Sequence, residues 1–184
     1  MHTLYRLLPY VPGARKGNLG NPLYFPPNQG LARVDNSGHY HVGYLATSAS
    51  CAVAESFGFL SVWDSQMLRP IKTLPDSQWA VVTYILSEGS DIFNMDDASN
   101  LQKLKLRPSR VVTRDRAITQ SWALKIYNNG GTAGLSWWSF YNPDWTCVGV
   151  WNLSKLRIKD VDVLTLDHPW VAEASRATNK PIFN

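Results

Sequence analysis

Apolar and polar positions along this chain follow several periods, and each period predicts an element. Tyr5 to Leu8 is a short apolar run stopped by Pro9 and predicts a first strand. Val42 to Ala46 follows the polar turn Asn36-Ser37-Gly38 and reads as a small buried strand. Thr47 or Ser48 then offers an N-cap oxygen. Ala49 to Phe57 carries an apolar stripe at Ala49, Val53 and Phe57, predicting a helix that Gly58 ends. Trp79 to Leu86 is β-branched and aromatic and predicts a central strand, with a shorter one at Ile92 to Met95. Asp97 to Leu104 predicts a helix with Leu101 and Leu104 on one face. Ser109 or Thr113 opens a longer predicted helix running to about Tyr127, closed by Asn128-Asn129-Gly130-Gly131. Leu135 to Tyr141 and Cys147 to Asn152 predict two strands around a turn at Asn142-Pro143-Asp144. Val161 to Leu166 adds a strand and Pro169 to Ala177 a final helix. Strands and helices do not alternate regularly, so the pattern favours an α+β fold over a doubly wound sheet. Pro12 to Gln29, rich in Gly, Pro and Asn, predicts a long loop, and such loops in compact domains often serve function.

Composition narrows the class. With 184 residues and 45% hydrophobic content, the chain is expected to form one domain over residues 1–184 with a full core. Eighteen Lys and Arg against fourteen Asp and Glu give a net charge of +4, which suits a phosphate-bearing small ligand. That charge is too weak and scattered to argue for direct DNA binding. Cys51 and Cys147 are the only cysteines, and neither lies in a C-x-x-C pair, so a reducing cytoplasm is expected. No apolar run approaches membrane-spanning length, and the N-terminal stretch, broken by Pro9 and Pro12, lacks a signal-peptide core.

The chemistry concentrates between Gly30 and Phe57. There the pattern places Arg33 in a Gly-bounded turn, Tyr44 on a short strand and Glu55 inside an alanine-rich helix. A cation, a flat aromatic and an anion pointing into one cleft would suit a nicotinamide dinucleotide. No G-x-G-x-x-G follows a strand, and no P-loop sequence occurs. His39-x-His41 lacks a third ligand at suitable spacing, so no metal site is expected. Asp96-Asp97 precedes a predicted helix and reads as a capping pair. Arg107, Arg110, Arg114 and Arg116 form a basic cluster that suits either a solvated helix face or phosphate gripping. In an extended Leu135 to Tyr141, Trp137, Ser139 and Tyr141 share one face, while Ser136, Trp138 and Phe140 share the other. A hydroxyl set inside an aromatic wall has a hydrogen-bonding task, which favours Ser139 over Ser136.

Four segments in order resemble one family. L-Y-R-L at the start, the Gly-x-x-Arg turn, Y-L-A-T-S-x-x-x-A-V-A-E and G-L-S-W-W-S-F resemble the RES domain family. The similarity extends through R-P-S-R-V-V-T-R-D-R-A-I-T-Q-S-W-A and L-T-L-D-H-P, and is nearest to the branch described as NAD+ phosphorylases. The resemblance implies an ADP-ribosyltransferase-like fold, in which two small β-sheets with flanking helices clasp NAD in a central cleft. It implies that NAD+ is the substrate, with phosphate as a co-substrate or water in its place. It further implies a toxin neutralised by a helix-turn-helix antitoxin protein, which would do any operator binding, and it leaves a homo-oligomer open.

On that reading Glu55 stabilises positive charge growing on the ribose as nicotinamide leaves. Arg6 and Arg33 are alternative pyrophosphate ligands, since guanidinium forks match phosphate oxygens. Tyr44 borders the nicotinamide ring, and Ser139 bonds the ribose or the carboxamide. Arg114 adds a further phosphate contact, because T-R-D-R-A-I-T-Q matches the family branch. Around Arg33 the chain departs from the commoner pattern: Ala32 and Val34 flank it where many members have Gly and an aromatic. The acceptor stays open between phosphate, water and a protein side chain. The rival reading is a binding module whose tryptophan-rich strands stack on carbohydrate or single-stranded nucleic acid.

Overall fold

The computed structural model describes residues 1–183, and its seven strands form one mixed sheet. They are β1 (His2–Tyr10), β2 (Gly43–Ala46), β3 (Gln78–Leu86), β4 (Ile92–Asn94), β5 (Gly134–Trp138), β6 (Thr146–Val150) and β7 (Leu156–Val163), in the spatial order β4-β5-β6-β2-β1-β3-β7. Five helices accompany them: α1 (Ala49–Phe57), α2 (Ala98–Leu104), α3 (Pro108–Val111), α4 (Arg116–Asn129) and α5 (Pro169–Thr178). β4 and β5 run parallel and all other neighbours antiparallel, so the fold is α+β.

One seam divides the sheet. β1 pairs with β3 from His2–Leu86 through Tyr10–Gln78, but with β2 only at Tyr5–Ala46. The two small sheets expected from sequence are therefore two halves, β4-β5-β6-β2 and β1-β3-β7, joined through a single residue pair. Beyond that pair the strands separate, and a cleft opens between them.

Helix α1 lies along this seam. Ser48 caps it by accepting a hydrogen bond from the Cys51 amide (3.1 Å). Its small residues let it approach the sheet closely. Ala49, Val53 and Phe57 pack with Leu7, Val81 and the α5 residues Val171 and Ala174. Cys51 and Ala52 pack instead with Val34, Leu135, Trp137 and the α4 residues Trp122 and Ile126. Burying Val53 and Phe57 contributes roughly 1.5–3 kcal/mol each. With both flanks committed to core, Glu55 and Ser56 are left facing the cleft. On the other face of the sheet, Leu4, Leu8, Leu45, Val82, Tyr84 and Val148 are covered by Leu23 and Phe25, from irregular chain, and by Leu153, from a single 3-10 turn.

Several boundaries differ from the sequence expectation for identifiable reasons. β1 continues through Pro9, which has no partner on its β2 side, the edge-like setting where proline is tolerated. β5 ends at Trp138, so Ser139 has left the ladder. The single helix expected from Ser109 or Thr113 is two, and Asp115 caps the second by accepting from the Ile118 amide (3.3 Å). β7 begins at Leu156, earlier than expected. A bulge against Thr83/Tyr84 shifts its alternation by one residue, and Arg157, Lys159, Asp160 and Asp162 put charge on this edge strand. Gly58 ends α1 with a right-handed φ of −62°, so it is not a left-handed cap. Glycine is needed because an added Cβ would lie 2.5 Å from the Tyr141 ring and from the Ala54 carbonyl oxygen.

Gly58→Ala is accordingly expected to destabilise the fold by about 1–3 kcal/mol through overpacking. Thermal denaturation checks this, and an unchanged melting temperature would contradict the overpacking.

Candidate active site at the seam

Two adjoining cavities occupy the opening between β1 and β2. The first, about 280 Å³, is lined by residues including Tyr5, Arg6, Tyr44, Glu55, Trp137 and Cys147. The second, about 300 Å³, shares Arg6 and Tyr44 and extends over Phe25, Asp35 and Leu31. Together they fall in the size range of small-molecule sites. Arg6 shares its face of β1 with Leu4 and Leu8, opposite the α1 face that carries Glu55. The parting of the strands is what lets residues from both faces line one cavity.

Glu55 stands at the lip of the first cavity, exposed as a residue yet held at its carboxylate. Ser139 Oγ donates to Glu55 Oε1 (2.6 Å), and Cys147 Sγ donates to the same oxygen (3.3 Å). Ser139 is itself fixed: its Oγ accepts from the Tyr141 amide (3.1 Å), and its own amide donates to the Trp145 carbonyl (2.7 Å). Cys147 lies beside Cys51, and the hydrogen bond between them, burial and the negative charge of Glu55 push its thiol pKa up. Ser136 lies away from this group and donates to Asn94 Oδ1 (3.3 Å).

The Arg33 turn is organised by Asp35, a buried carboxylate that local pattern did not single out. Its Oδ2 accepts from the Gly30 and Ala32 amides (2.8 Å each), and its Oδ1 accepts from the Tyr44 hydroxyl (2.6 Å). The Tyr44 oxygen also accepts from the Val34 amide (3.0 Å), and its ring meets Trp137 edge-on at 6.3 Å. Tyr44 is therefore a fixed wall of both cavities. Gln120 on α4 donates to the Gly30 and Ala32 carbonyls (3.0 Å each), tying the turn down from outside.

The basic residues divide by position. Arg6 Nη1 donates to the Tyr24 carbonyl (2.8 Å), and its guanidinium lies 4.6 Å from the Phe25 ring centre. Burial lowers its pKa, with Tyr84 opposing, and at ordinary pH it stays charged. Arg33 lines neither cavity. Its Nη1 donates to the carbonyls of Val111 (2.8 Å) and Thr113 (3.0 Å), which the break between α3 and α4 leaves free. Burial and then Arg116 lower the Arg33 pKa, while the charge of Glu55 acts in the opposite direction. Arg114 is exposed outside both cavities, its guanidinium 5.8 Å from the Phe140 ring centre. Arg116, which sequence ranked below Arg114, is the one whose field reaches Arg33, and its Nη1 is buried with no partner among the described residues. His39 and His41 are both exposed. Asp97 caps α2, accepting from the Ser99 amide (2.8 Å).

With this geometry in view, comparison with known proteins identifies the class. The chain matches the RES domain over residues 3–173. It belongs to the RES domain family. A solved structure, that of the M. tuberculosis MbcT-MbcA toxin-antitoxin complex, is similar with a TM-score of 0.59 at 12% identity, covering 97% of this chain and 90% of that one. At that identity the likeness concerns the fold. No curated protein sequence matches. No helix is long and apolar enough to cross a membrane among the described residues.

Burial raises the pKa values of four tyrosines: Tyr40 and Tyr84 to about 12, Tyr44 with help from Asp35, and Tyr141 with help from the charge of Glu55. The unfolded chain releases these protons near pH 10 while the folded chain keeps them. Their contribution to stability is therefore complete below pH 10 and is lost as pH rises toward 12, at about 1.4 kcal/mol per unit for each buried phenol. Melting curves between pH 9 and 12 should fall accordingly, and phenolate absorbance from Tyr40 and Tyr84 in the folded protein should lag that of exposed tyrosines by about two pH units. Ionisation of all tyrosines near pH 10 in the folded protein would contradict this.

Proposed function

We propose that the protein cleaves the nicotinamide–ribose bond of NAD+ and passes ADP-ribose to inorganic phosphate or, in its absence, to water. The observation that carries this reading is the Glu55 carboxylate, held by Ser139 at the lip of a cavity that also contains the Arg6 guanidinium. Membership of the RES family supports an NAD-acting enzyme in general.

Cleavage of this bond builds positive charge on the ribose, and nicotinamide leaves as a neutral base, so no acid is required. What the protein must supply is a fixed negative charge beside the sugar. Glu55 supplies it, and Ser139 holds the carboxylate in place before the substrate arrives. Ser139 therefore serves through Glu55 rather than by bonding the ribose directly. Arg6 grips the pyrophosphate from the shared wall of the two cavities, and Tyr44 borders the ring. Arg33 acts by its field and by clamping residues 111 and 113. The choice of phosphate over water as acceptor rests on the family resemblance. One phosphate oxygen then bonds to ribose C1 as the C1–N bond breaks, and the electron pair leaves with nicotinamide.

The similar toxin–antitoxin complex supports a toxin role with an antitoxin partner, of helix-turn-helix type on the family resemblance. Leu31, 93% exposed beside the second cavity, gives such a partner an apolar contact at the mouth. The rival stacking module loses support because none of the eight tryptophans is exposed.

Incubating purified protein with NAD+, with and without phosphate, and separating products by chromatography tests the reaction. Nicotinamide is expected, with ADP-ribose 1-phosphate when phosphate is present. Glu55→Gln should lower kcat by about a hundredfold or more at unchanged melting temperature, whereas Arg6→Ala should chiefly raise KM. Unconsumed NAD+, or full turnover by Glu55→Gln, would overturn the proposal.

A further inference from the structure

The fold sets Cys147 against two metal-binding donors of α1, Cys51 and Glu55. Cys51 Sγ, Cys147 Sγ and a Glu55 carboxylate oxygen all lie within 4.8 Å of one another. Cys51 and Glu55 stand one helical turn apart on the same side of α1, and Cys147 faces them from β6, one strand along from Ala46. Each donor thus sits on a regular element rather than a loop. Both cysteines are free and buried.

We propose that Cys51, Glu55 and Cys147 form a binding site for a thiophilic divalent cation such as Zn2+ or Cd2+. A tetrahedral ion with metal–sulfur bonds of about 2.3 Å and metal–oxygen bonds of about 2.0–2.2 Å holds its donors roughly 3.5–3.8 Å apart. The 3.3 Å between Cys147 Sγ and Glu55 Oε1 is close to that span, so small side-chain shifts suffice. Two sulfur donors select soft and borderline ions over Mg2+ or Ca2+. The first cavity, lined by both Cys147 and Glu55, provides the entry path and room for water in the fourth position. On binding, each thiol gives its proton to solvent and its sulfur lone pair to the ion, and one Glu55 oxygen completes the protein's share. The Cys147–Glu55 hydrogen bond is thereby replaced by two bonds to metal. Binding rests on these three side chains alone. Its consequence rests on the proposed NAD+ reaction: an occupied site takes the Glu55 charge away from the ribose and stops turnover.

The test uses the full chain kept reduced with a phosphine. Titration with Cd2+ should produce the ultraviolet thiolate-to-metal band, saturating at one ion per chain, and Zn2+ should displace it. Cys51→Ala suits the alanine-rich helix, and Glu55→Gln alters an exposed residue, so both should fold. Each is expected to weaken Cd2+ binding at least tenfold. Zn2+ should inhibit NAD+ cleavage by the parent, a chelator should restore it, and Cys51→Ala should match the parent without metal yet need at least tenfold more Zn2+ for inhibition. No thiolate band, or parental affinity in either variant, would overturn the site. Binding without inhibition would overturn its consequence. If the parent does not cleave NAD+, the function proposed above fails, and the absorption titration still decides the site.

Discussion

The pairing of β1 with β2 through Tyr5 and Ala46 alone is the constraint on which the site depends. A longer ladder would close the sheet and leave no opening between Arg6 and Tyr44. No pairing at all would leave the halves without a common frame. One residue pair keeps them in register while the strands separate, and α1 spans the gap with apolar contacts to each half. The cleft follows from where pairing stops, not from a cavity hollowed into a finished core.

Around that opening the facing groups are held in place by hydrogen bonds to a second set of polar residues. Asp35 takes two amides of the Arg33 turn and the Tyr44 hydroxyl, so one buried carboxylate fixes both the turn and the aromatic wall. Ser139 does for Glu55 what Asp35 does for Tyr44. The break before α4 supplies the carbonyls that seat Arg33. Polar residues are placed here in pairs, a facing group and a holder, and such preorganisation costs no rearrangement at the moment of reaction.

What was legible in the sequence follows the range of each interaction. Helix α1, its Ser48 cap and its Glu55 position are set by near neighbours, and local periodicity places them correctly. Ser139 was reached through alternation along β5 even though the strand stops before it, because the chain keeps its direction for one more residue. Cys147 and Glu55 are 92 positions apart, so no local pattern joins them. The Asp115 cap was masked by Pro108 and Ser109, which begin a turn of helix of their own. In β7 the apolar positions change phase at the bulge, leaving neither half long enough to register as a strand before Val161.

The irregular stretch that lays Leu23 and Phe25 over the far face of the sheet carries a consequence for how the protein is inactivated. Phe25 roofs Leu4 and Leu8 and also bears the Arg6 guanidinium, and the Tyr24 carbonyl anchors it. The same stretch of irregular chain is therefore insulation for the core and mounting for a charge. Such segments are where proteases cut first. A single nick there would unseat that guanidinium and wet the apolar back at once, so degradation and loss of ligand grip would begin as one event.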